Sequence, residues 1–120
     1  MGISITRESR EFTEVEKYLM TVSPAIVSMK DVPDDEHIMV DGVLEFVDTK
    51  DDKNGEQTDI LSIITPEKKV YSCQSSTFKR ALHDIEKIMG GKKFGIIKIS
   101  GTTKAGRPYI NCVLDIGSVS

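Results

Sequence analysis

FGIIKISGTTKAGRPYINCVLDI, residues 94–116, reads as two β-strands joined by a short polar turn. In the second strand Ile110, Cys112, Leu114 and Ile116 fall on one side, and Tyr109, Asn111, Val113 and Asp115 on the other. That period of two marks a half-buried antiparallel strand. In the first strand Ile97 and Ile99 fall on one face and Lys98 and Ser100 on the other. The connection, Gly101 to Pro108, holds Gly101, Gly106, Lys104 and Arg107 and no acid. A basic turn followed by a tyrosine on the non-core face points to a ligand that is anionic and carries flat rings. Single-stranded nucleic acid is such a ligand.

Just upstream stands one clear helix. Ser75 or Ser76 is its N-cap, Phe78, Leu82, Ile85 and Met89 form an apolar stripe at helical spacing, and Gly90-Gly91 stops it. Before it, residues 37–47, 58–65 and 70–74 read as three strands. Gly42 lies where the alternation of the first slips by one, which predicts a bulge or sharp bend. Between the first two, Asp48 to Gln57 is a charged loop with an Asn54-Gly55 tip, expected to protrude and be mobile. The order β-β-β-α-β-β predicts a mainly β protein, a five-stranded OB-fold barrel over residues 37–117.

Residues 1–36 form an accessory N-terminal helical segment in this reading. The first ten residues are polar and expected to be disordered or loosely docked. Thr13 and Glu16 have capping-box spacing, predicting a helix over 13–20, and Ser23-Pro24 offers a second helix start running through AIVSM.

At 120 residues the chain is expected to be a single domain. No apolar run approaches the roughly 20 residues a membrane span needs, and no signal-peptide pattern opens the chain. Cys73 and Cys112 cannot build a disulfide framework and read as buried apolar thiols, so a reduced, cytoplasmic setting is expected. The net charge is −3, yet it is unevenly distributed. Residues 1–60 carry 6 Lys/Arg against 15 Asp/Glu, and residues 61–120 carry 10 against 4. Such asymmetry points to a polyanionic partner for the basic half.

The segment TDILSIITPEKKVYSCQSSTF before the amphipathic helix and the hairpin ISGTTKAGRPYINCVLDIG also carry a family resemblance. Residues 58–117 resemble the C-terminal half of small single-stranded DNA-binding proteins encoded by tailed phages of Gram-positive bacteria. The resemblance implies an OB-fold and cooperative, sequence-tolerant binding of single strands in phage replication or recombination. Two departures stand beside it. The N-terminal third has no counterpart there, and Gly-Ser-Val-Ser ends the sequence in place of the acidic tail through which bacterial relatives recruit partners.

The candidate contacts are therefore Lys98, Lys104 and Arg107 for a phosphate backbone, with Tyr109 and Tyr71 for base stacking. Tyr71 is equally compatible with an inward position beside Cys73. Asn111 shares the face of Tyr109. Lys69 and Lys93, from the pairs Lys68-Lys69 and Lys92-Lys93, extend a cationic track, although a charge pair is more often a solvated surface. Gly101-x4-Gly106 is no phosphate-binding P-loop, because Arg107-Pro108 and a strand follow where Lys, Ser/Thr and a helix are needed. His37 and His83 lack metal-ligand spacing, and Asp48 to Asp59 lacks the twelfth-position Glu of a calcium loop. No nucleophile motif is present, so the expected protein is no enzyme and takes no cofactor. Its expected partner is single-stranded DNA, with replication or recombination proteins beyond it and a homodimer compatible with the sequence. The alternative is an OB-fold protein-interaction module or replication accessory factor.

Overall fold

The computed structural model describes residues 2–50 and 55–119. In chain order the elements are β1 (Gly2–Glu8), α1 (Glu14–Thr21), β2 (Val27–Ser28), a 3-10 turn (Met29–Asp31), β3 (His37–Val40) and β4 (Gly42–Thr49). There follow β5 (Gln57–Ile64), β6 (Val70–Cys73), α2 (Ser76–Met89), β7 (Phe94–Thr102), β8 (Pro108–Asp115) and a closing 3-10 turn (Ile116–Ser118). The fold is mainly β, in two sheets ordered β1-β4-β5-β6-β2 and β3-β7-β8. Residues 51–54 of the expected charged loop, with Asn54 of its tip, lie outside the described residues. The loop is closed at its base by Lys50 N–H donating to the Glu56 carbonyl at 2.8 Å.

β3 and β4 are one stretch of chain that serves both sheets, β3 pairing with β7 and β4 with β5. The break falls at Asp41–Gly42, where the slipped alternation predicts it. A Cβ on Gly42 would stand 2.5 Å from the Phe12 ring, so glycine is required by the close approach of that ring to the backbone. The barrel is not closed, in contrast to the expectation: among the described residues no ladder joins β6 to β8. That seam is bridged by Ser75, whose hydroxyl donates to the Ile110 carbonyl at 3.4 Å.

The interior between the sheets is filled by Val43, Leu61, Ile63, Phe94 and Ile96 and closed by Phe78 and Leu82 of α2. α2 forms as its sequence dictates. Ser75 Oγ accepts from Phe78 N–H at 3.2 Å, and Gly90 ends the helix at φ 59, in the left-handed region. Full burial of each such Leu, Ile or Phe side chain is worth about 1.5–3 kcal/mol.

The N-terminal third departs most from expectation. Residues 2–8, expected to be loose, form an edge strand antiparallel to β4. A bulge between Ile5 and Arg7 turns Arg7 onto Glu45 rather than Leu44. Arg7 there binds Glu45 and also Glu86 of α2, at 2.8 Å, while His83 Nε2 stands 2.9 Å from Glu45. α1 does carry the predicted capping box: Thr13 Oγ accepts from Glu16 N–H at 3.1 Å and Glu16 accepts from Thr13 N–H at 3.0 Å. The second helix expected after Ser23-Pro24 does not form. Val27 and Ser28 instead add a short parallel strand to β6, a natural use for the β-branched pair Ile26-Val27. Thus the first 36 residues supply two of the five strands of one sheet. α1 and the segment after it cover that sheet's outer face, burying Phe12, Met20, Leu44, Phe46, Ile64 and Val70.

Candidate functional site

The β7–β8 hairpin places the sequence's strongest candidates at one end of the molecule. Its turn is closed by Thr103 N–H donating to the Arg107 carbonyl and Gly106 N–H to the Thr103 carbonyl, both at 2.9 Å. Gly106 sits at φ 82, which a side-chain-bearing residue adopts only at a cost. Lys104 and Arg107 are exposed and form no ion pair among the described residues. Tyr109 pairs with Gly101 across the hairpin and lays its ring against that glycine, since a Cβ there would lie 2.5 Å from the phenol oxygen. One use of the ring is to cover the glycine. It remains 38% exposed, so a face is available to a ligand.

Beside Tyr109 the unclosed seam opens into a cleft of about 670 Å³. Ser28, Lys30 and Ser72 line one side, Gln74, Ser75 and Ser76 the start of α2, and Lys98, Ser100 and Tyr109 the hairpin. The serines and Gln74 were not legible as site residues, because isolated hydroxyls and amides in strands and caps carry no distinguishing pattern. Only the open seam brings them together.

Several expected contacts lie elsewhere. Lys98 faces inward and is 4% exposed, because β7 turns Phe94, Ile96 and Lys98 to the interior and Ile97 and Ile99 outward. Register explains this: Lys98 pairs with Cys112 and Ile96 with Leu114, and paired residues share a face. The Lys98 ammonium donates to the Val32 carbonyl at 2.7 Å and stands 3.3 Å from Asp34. Tyr71 is likewise buried in the interior with Cys73, under the Lys69 ammonium 5.5 Å from the ring centre, and offers no stacking face. Lys69 sits at the β5–β6 turn, at the far end of β6 from the cleft. Lys93 precedes β7, at the end opposite the hairpin turn, 4.0 Å from Asp41. Asn111 uses its side-chain oxygen to accept from Cys112 N–H at 2.9 Å, capping a backbone donor of the edge strand β8.

The charge asymmetry is partly spent inside the fold. Glu16 binds Arg10 at 2.8 Å and Lys68 at 2.9 Å, and the Arg10 bond above all, with Thr13 N–H and Lys68, holds its carboxyl well below the usual range. Asp34, Asp41 and Glu45 similarly face Lys98, Lys93 and His83. Burial pushes the Cys73 thiol up to about 11 and the Cys112 thiol up to about 12, so both remain protonated and unreactive near neutrality. Among the described residues no cluster of three His, Cys, Asp or Glu is placed to hold a metal, and no helix is long and apolar enough to cross a membrane.

No family model, no curated protein and no solved structure matches the chain.

Proposed function

We propose that this protein binds single-stranded DNA without sequence preference and without catalysis, coating it on an open form of the OB-fold. The carrying observation is the grouping of exposed Tyr109 with Lys104 and Arg107, which meet no acid among the described residues, on one hairpin at the mouth of a hydroxyl-lined cleft. Supporting the OB reading are a bent first strand shared between sheets, a helix between β6 and β7, and a final hairpin. OB-folds commonly bind along the face of their second and third strands and the adjoining loops. Here that face, on β5 and β6, is largely covered by α1. The strand would therefore follow the seam and the hairpin. Stacking on Tyr109 supplies about 1–3 kcal/mol, and each phosphate neutralised adds about 0.7 to the salt slope. A role in phage replication or recombination rests on the sequence resemblance of residues 58–117.

The test is fluorescence anisotropy of a labelled oligo-dT at low salt, with single-stranded RNA and duplex DNA in parallel. Saturable binding of oligo-dT over duplex is expected; an oligonucleotide left free refutes the reading. A second reading, a protein-interaction module, is favoured by the outer face of the three-stranded sheet, where Met39 and Val113 are 39% and 43% exposed beside Ile97 and Ile99. Partners of that kind survive nuclease treatment in a pull-down, whereas DNA-bridged ones do not.

A further inference from the structure

Asp34, in the loop before β3, reaches across to β7. Its carboxylate accepts the Ser100 hydroxyl at 2.6 Å and stands 3.3 Å from the Lys98 ammonium. The loop is pinned there by its backbone: Asp35 N–H donates to the Lys98 carbonyl at 2.8 Å, and Lys98 N–H to the Glu36 carbonyl at 3.0 Å. Asp35 adopts φ 68, a left-handed conformation that a non-glycine residue holds only when its surroundings impose it. A cation and a hydroxyl donor thus converge on one anionic group, which is also how proteins hold a phosphate oxygen. Lys98 and Ser100 both line the cleft, with Ser28, Lys30 and Tyr109.

We propose that Lys98 and Ser100 form a phosphodiester subsite of the cleft, occupied in the free protein by the Asp34 carboxylate and taken over by a phosphate of the bound strand. This rests on the nucleic-acid reading of the cleft. The exchange is physically economical. An ammonium has three donors, and the one fixed to the Val32 carbonyl at 2.7 Å stays in place. The contact with Asp34, at 3.3 Å, is longer than the roughly 2.7–2.9 Å of a strong charge-assisted bond. The Asp34 side chain is 52% exposed, so its carboxylate can turn into water without leaving a buried charge unpaired. Lys98, by contrast, is buried and needs an anion beside it in either state. The acidic loop therefore acts as a built-in competitor that tunes affinity.

Asp34→Asn keeps the shape and an acceptor for Ser100 while removing the charge. It should bind oligo-dT about tenfold more tightly than wild type. Asp35→Asn removes the same charge from the same loop and suits φ 68, yet should change affinity by less than about twofold. Amide NMR provides a readout independent of DNA: inorganic phosphate should shift Ser28 and Ser100 saturably in Asp34→Asn, and at about tenfold higher concentration in wild type. Should Asp34→Asn fold poorly, the wild type suffices, since saturating oligo-dT must then move the Ser100 and Asp35 amides. Wild-type binding of oligo-dT with Asp34→Asn no tighter, or with Ser100 and Asp35 unmoved, overturns the subsite and leaves the DNA reading standing. Saturable phosphate shifts at Ser100 with no oligo-dT binding would uphold the subsite and refute the DNA reading.

Discussion

The outer face of the five-stranded sheet and the hairpin end of the three-stranded sheet draw on similar residues and finish them differently. On the first, α1 and its flanking chain cover Phe46 and press Met20 of α1 against the sheet, and Lys68 and Arg10 are paired with Glu16. At the hairpin, Tyr109 keeps an exposed face, and Lys104 and Arg107 meet no acid among the described residues. The difference shows where the acidic first half of the sequence acts. Its carboxylates consume cations wherever the fold is sealed, and one of them, Asp34, reaches the edge of the open end. A net count of charge cannot reveal this; the pairing does.

Breaking the sealed face should have the largest effect. Met20→Ala deletes a fully buried side chain and should cost about 2–5 kcal/mol of stability in chemical denaturation, with oligo-dT affinity per folded molecule unchanged. At the open end, Tyr109→Leu keeps Gly101 covered but removes the flat ring, and should weaken oligo-dT binding by about 1–3 kcal/mol with little loss of stability. The double substitution Lys104→Ala with Arg107→Ala should lower the slope of log affinity against log salt by about 1.4, two phosphates' worth. Tyr109→Leu should leave that slope alone.

The smallest effect concerns pH. Glu16 has its folded pKa depressed below the ordinary 4.5, so its contribution is complete above about pH 4.5 and declines as pH falls towards the folded value. The stability difference between wild type and Glu16→Gln, followed by urea denaturation, should therefore be flat from neutrality to about pH 5 and shrink below it. A difference that grows on acidification would contradict the proposed sealing by Glu16.

The elements most readable in the sequence were those whose signals are local. α2 has a helical stripe, a serine cap and a glycine stop, and α1 has a reciprocal capping box. The bend at Gly42 was also local, although its reason, the Phe12 ring, was not. What escaped was set by pairing partners. In FGIIKI both parities hold apolar residues, so alternation alone could not orient Lys98; only its register against Cys112 does. Tyr71 had the same ambiguity, and its ladder with Ile63 settles it inward. β1 was missed because its polar residues look loose until β4 supplies a ladder. Of the candidate site, Lys104, Arg107 and Tyr109 were legible because they flank one turn. The cleft was not, since it comes from a seam left open between β6 and β8, a long-range property that no short pattern encodes.

Amide NMR of the wild-type protein titrated with oligo-dT at low salt distinguishes a ligand at the open end from one on the sealed face. Shifts concentrated in residues 101–111 and at Ser28, Ser72 and Gln74, with α1 unmoved, are the predicted result. Shifts centred on α1 and the β5–β6 turn, or none at saturating oligonucleotide, would contradict it.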